Sequence, residues 1–135
     1  MPMFDTGKGQ LHYQIEGAAD APVLVLSNSL GTTLDMWSPQ MPALLEHFRV
    51  LRYDTRGHGQ SEATPGPYTI AQLGTDVVAL LDHLQIARAH FCGLSMGGMT
   101  GMWLGIHAPS RIHKLVLCNT RDRKSTRLNS QSLAY

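Results

Sequence analysis

With 135 residues, 43% of them hydrophobic and 16% charged, the chain has the balance of one compact globular domain or a piece of one, which argues against disorder. A formal charge of +1, with basic residues scattered except near the end, argues against nucleic acid or an anionic membrane surface as partner and leaves a small polar or apolar molecule as the expected ligand. The start "MPMFDTGKGQ" has no basic segment leading into an apolar one, and no run approaches a membrane span, so the cytoplasm is the expected compartment.

In chain order, "QLHYQIEG" alternates Leu11, Tyr13 and Ile15 with polar residues, which predicts a strand with one wet face at a sheet edge or in a hairpin. "PVLVLSNSLG" is instead an unbroken apolar run from Val23 to Leu26, the pattern of a strand covered on both faces as in a parallel sheet. "FRVLRYDTRG", "AHFCGLS" and "KLVLCNT" predict three more strands of that kind. Between them, "TIAQLGTDVVALLDHLQI" places Leu73, Val77, Leu80, Leu81 and Leu84 on one helical stripe, with Asp76, Asp82 and Gln85 off it. "GGMTGMWLGIHAPS" predicts a largely buried helix that stops before Pro109, with Gly97, Gly101 and Gly105 on a common face that permits close approach to the sheet. Strand, helix, strand, helix, strand in this order predicts an α/β fold: a mostly parallel sheet with helices on both faces. Cys92 and Cys118 fall in apolar runs, outside any metal-ligand spacing, and are expected to be buried reduced thiols.

The chemistry centres on "GLSMG", Gly93 to Gly97. A serine between two glycines, after a buried strand and before a helix, fits a sharp turn that strains the serine backbone, and the helix amides that follow face the place where an oxyanion would form. The alternative is a glycine-rich turn whose serine only caps the helix. In "YDTRGHGQSE", Asp54 and His58 offer an acid and a base, but they lie in a turn after a different strand. Their expected role is structural, with Asp54 and Arg56 making loop hydrogen bonds and charge pairs while Gly57 and Gly59 permit the turn. His12, His47, His83, His90, His107 and His113 make no ligand pair, so surface or packing roles are expected and no metal site is.

The set "SNSLGTTLDMW", "YDTRGHGQS", "GLSMGGMTGMWLG" and "APSRIHKLVLCNT" resembles the N-terminal half of an α/β hydrolase, and in particular is similar to the 3-oxoadipate enol-lactonases of bacterial aromatic-compound breakdown. The resemblance covers Met1 to about Thr120. It implies that Ser95 is the nucleophile of a Gly-x-Ser-x-Gly elbow, that the backbone N–H groups of Leu30 and Met96 form an oxyanion hole, and that Trp37 lines the substrate pocket. The implied substrate is a small lactone or ester, with no cofactor and no metal. In this family the acid and the histidine follow the serine in that order, after later strands, so this chain by itself is expected to be inactive. Rival readings are another esterase, a cofactor-free haloperoxidase-like enzyme, or a non-catalytic binding module on the same fold. Residues 1–121 are therefore expected to form the N-terminal portion of a truncated hydrolase core. Residues 122–135, beginning "DRKSTRLNS", resemble an in-frame translation of sequencing adapter and are expected to be a non-native tail.

Overall fold

A computed structural model of the chain describes residues 2–7, 9–63 and 68–118, and these build one mixed sheet. The strands are β1 (Met3–Asp5), β2 (Gln10–Glu16), β3 (Val23–Ser27), β4 (Arg49–Tyr53), β5 (Ala89–Leu94) and β6 (Ile112–Cys118), in the spatial order β1-β2-β4-β3-β5-β6. β4, β3, β5 and β6 run parallel, and β2 and β1 join antiparallel at one edge. The expected tail, residues 122–135, and Asn119 and Thr120 of the last expected strand lie outside the described residues.

The unbroken apolar character of β3 has a direct cause: its alternate residues serve two cores. Val25, with Leu51 of β4 and Phe91 of β5, packs under Val77, Leu80 and Leu81 of α2 (Ile70–His83) and Leu104 of α3 (Met96–His107). Leu24 and Leu26, with Val50, pack on the other face against Met41 of α1 (Met41–Leu45), joined by Trp37 and Leu44. A strand buried on both faces has no polar positions to alternate. α1 and the 3₁₀ turn before it (Leu34–Gln40) were not legible in the sequence, because Pro39 and Pro42 break the helical signal. α2 begins where expected. Thr69 closes a capping box there, its hydroxyl accepting from the Gln72 amide at 3.1 Å while the Thr69 amide donates to Gln72 Oε1 at 2.9 Å.

Two polar residues depart from the pattern. The wet face expected of β2 is closed at His12, which is as buried as its neighbours Leu11 and Tyr13. Asp76, off the apolar stripe of α2, is not on a solvent face either: Arg56 donates to it twice, Nε to Oδ2 at 2.9 Å and a terminal nitrogen to Oδ1 at 2.6 Å, with both side chains buried. This pair ties the loop after β4 to α2, and it realises the charge pairing expected of Arg56. Removing one member leaves the other charge buried and uncompensated. Asp76→Ala should therefore destabilise the fold by about 3–5 kcal/mol, read as a lowered urea midpoint, whereas a surface ion pair would cost about 1 kcal/mol or less.

Candidate active site

Ser27 at the end of β3 is in register with Gly93 near the end of β5, so the segments that follow these two strands leave the same end of the sheet side by side. In open α/β sheets this end, beyond the carboxyl termini of the strands, is where ligands bind. One segment carries Leu30 and the other carries Ser95 and Met96. The structure thus brings together the three residues expected to act on a carbonyl group.

Ser95 sits between β5 and α3 with φ +56° and ψ −112°, a left-handed backbone for a residue that carries a Cβ. Packing on both sides enforces it. A Cβ on Gly93 would strike the Gly97 carbonyl and come within 2.7 Å of the Gly98 nitrogen, and a Cβ on Gly97 would strike the Ser27 carbonyl. The first turn of α3 is therefore pressed against the ends of both β3 and β5. From the far side, the Ser95 amide donates to the Cys118 carbonyl at 2.8 Å, and the Ser95 carbonyl accepts from Met99 at 3.1 Å. Met96 is the first residue of α3, where amide hydrogens have no partner inside the helix.

The loop with Leu30 is hung between two fixed points. Asn28, fully buried, donates from Nδ2 to the Tyr53 carbonyl at 2.8 Å and accepts at Oδ1 from the Trp37 indole N–H at 2.7 Å. Leu34 is anchored at the other end, its amide donating to Asp54 Oδ1 at 2.8 Å and its carbonyl accepting from Arg52 at 3.3 Å. Between these anchors Leu30 is 70% exposed and Gly31 takes φ +79°. Next to Asn28, the Ser27 hydroxyl meets the Tyr53 hydroxyl at 2.7 Å, and burial pushes the Tyr53 phenol above its ordinary range. Asn28 was the residue that sequence reasoning passed over. A buried asparagine at the end of a strand has no periodic signature.

Asp54 makes the loop hydrogen bonds expected of it. Besides Leu34, its carboxylate accepts from the Gln60 amide at 3.0 Å and meets His12 Nδ1 at 2.8 Å, His12 and Asp54 each being 2% exposed. The partners of this carboxylate are thus His12, Leu34 and Gln60, as expected of a residue that ties loops together. Cys92 and Cys118 are half-buried and reduced on neighbouring strands, and burial, with Cys118 alongside, pushes the Cys92 thiol up to about 11. Among the described residues no group of three or more His, Cys, Asp or Glu could hold a metal ion, and no helix is long and apolar enough to cross a membrane. Clefts of about 280 Å³ beside His90 and His113 and about 300 Å³ beside Asp82 and Arg111 lie at the opposite end of the strands, and Ser95 lines neither. At the first of these, burial and the neighbouring His113 and Lys114 charges hold the His90 imidazole below its ordinary value.

The model of the alpha/beta hydrolase fold family matches residues 22–134. The chain is 54% identical over 126 residues to 3-oxoadipate enol-lactonase 2 of Acinetobacter baylyi, covering 89% of this chain and 47% of that protein. It is 42% identical over 116 residues to the "putative carbamate hydrolase RutD" of a Caulobacter species, covering 84% of this chain and 43% of that protein. The crystal structure of the enol-lactonase from Burkholderia xenovorans superposes with a TM-score of 0.86 at 60% identity, over 88% of this chain and 46% of the other. The chain thus spans about half the length of the relatives it matches. A serine strained between a central parallel strand and the helix it opens, in a sheet that superposes this closely, leaves one conclusion: the chain belongs to the α/β-hydrolase fold family.

Proposed function

We propose that this chain is the N-terminal half of a serine hydrolase that opens 3-oxoadipate enol-lactone to 3-oxoadipate during aromatic-compound breakdown, that the enzyme works in the cytoplasm, and that its reading frame continues past Thr120 at the genomic locus. The observation that carries the hydrolase reading is the positive φ of Ser95, a strain that a binding module has no use for. The lactone is favoured over other esters by the 54% identity to the Acinetobacter lactonase.

In this reading Ser95 Oγ attacks the ring carbonyl while the Leu30 and Met96 amides receive the oxyanion. Collapse breaks the ring C–O bond and releases the enol oxygen, still tethered to the acyl group, which tautomerises to the ketone. Water then cleaves the acyl-enzyme and frees Ser95. Trp37, its indole N–H fixed on Asn28, presents its ring as a wall of the pocket. The general base is a histidine, steadied by an acid, contributed after later strands, so residues 1–135 alone turn over no substrate. The chemistry needs a nucleophile, a base and oxyanion donors, and neither metal nor cofactor.

A second reading, a carbamate hydrolase, is supported by the 42% identity to the Caulobacter protein. Both readings use the same serine, so substrate preference decides between them. The full-length product of the genomic locus should show kcat/KM for the enol-lactone at least about a hundredfold above that for a simple carbamate or an aryl acetate, since differential transition-state contacts of a few kcal/mol are enough for such a ratio. A preference for the carbamate would replace the lactonase reading. A stop codon directly after Tyr135 at the locus would remove the longer enzyme altogether.

A further inference from the structure

We infer that His12 is a positioning residue of the oxyanion loop, acting through Asp54 on the Leu34 amide; this rests on the hydrolase reading of Ser95. Asp54 gathers three N–H donors from three parts of the chain: His12 Nδ1 from β2, the Leu34 amide from the start of the first 3₁₀ turn, and the Gln60 amide from the loop after β4. Two of these donors are backbone. His12 is the one whose side chain decides where the carboxylate points.

The rest of the environment fixes His12 itself. Its amide donates to the Ser61 hydroxyl at 2.9 Å, that hydroxyl donates to the Asp54 carbonyl at 2.6 Å, and the His12 carbonyl accepts from the Asp54 amide at 2.9 Å. The imidazole and the carboxylate are thus held face to face by their own backbones. From Asp54 Oδ1 the link passes to Leu34, the far anchor of the loop on which Leu30 is exposed. A shift of the carboxylate becomes a shift of that anchor, and the Leu30 amide moves with it.

The other ring nitrogen argues against a purely stabilising role. His12 Nε2 is buried and has no hydrogen-bond partner among the described residues. A buried unpaired nitrogen is a cost that an apolar residue of similar shape would not carry. What histidine offers here and phenylalanine does not is the Nδ1 bond to Asp54.

The test uses the full-length product. His12→Phe is expected to lower kcat roughly ten- to a hundredfold with KM kept within about twofold, because a displacement well under an ångström at an oxyanion donor acts on the transition state and not on substrate binding. His12→Asn places an amide N–H near the Nδ1 position and should restore kcat to within about threefold of the parent, whereas His12→Gln places it near Nε2 and should not. Hydrogen exchange at the Leu34 amide, which requires no catalysis, should speed up in the Phe and Gln variants and stay slow in the Asn variant. Equal kcat in the parent and the Phe variant, or Asn and Gln variants that behave alike in kcat and Leu34 exchange, would overturn the inference. Full activity of Ser95→Ala would instead overturn the hydrolase reading, and the exchange pattern at Leu34 would still report on His12.

Discussion

Ser95→Ala in the full-length product should lower kcat for the enol-lactone by on the order of 10⁶, the size of effect found when the nucleophile of a serine protease is removed. Alanine keeps the Cβ of serine, so the backbone at φ +56° is strained to the same degree and the fold should be unchanged in circular dichroism. Ser95→Gly provides the complementary measurement. Activity should fall as far, but glycine enters the left-handed region without a Cβ penalty, and the melting free energy should rise by roughly 1–3 kcal/mol, less the entropy cost of glycine in the unfolded chain. An inactive variant more stable than its parent is the signature of strain stored for chemistry. Retention of even a few per cent of the parent rate in Ser95→Ala would place the nucleophile elsewhere.

The second large effect is expected at the glycines around the serine. Gly97→Ala puts a methyl group onto the Ser27 carbonyl at the end of β3, and backbone atoms of a central strand cannot yield without shifting α3. A loss above about 4 kcal/mol is expected, large for a single methyl group, together with loss of activity, since the displaced helix carries the Met96 amide. Gly101→Ala, one turn along the same face, tests the explanation. There the nearest atoms are the side-chain ends of Leu117 at 2.8 Å and Phe91 at 2.9 Å, which can move, so overpacking of roughly 1–3 kcal/mol with activity largely kept is expected. Urea unfolding of the two variants side by side distinguishes a backbone collision from side-chain crowding; similar costs would refute the distinction.

What could be read from the sequence was whatever repeats along the chain or sits in a short motif. The run from Val23 to Leu26, the stripe from Leu73 to Leu84 and the Gly-Ser-Gly spacing each carry their information locally, and the structure places β3, α2 and the strained Ser95 there. β1 escaped because three residues are too few to show a period. His12 and Asp76 looked like solvent-facing positions because a polar residue off an apolar stripe ordinarily is one. Their partners, Asp54 and Arg56, lie far away in sequence, so nothing within either segment announces the pairing. At Gly74 of α2 the Trp103 ring lies where a side chain would be, so the glycine is a seat for the neighbouring helix, and that contact has no signature in the α2 segment itself.

The hydrogen bond from the Ser95 amide to the Cys118 carbonyl makes the last described strand a brace for Ser95. On the ribosome, Ser95 emerges well before Cys118. Until β6 has been synthesised and docked along β5, the strained serine lacks this brace and is held only by the packing of α3 against β3 and β5. The full set of contacts that holds the Ser95 backbone is therefore completed late in vectorial synthesis.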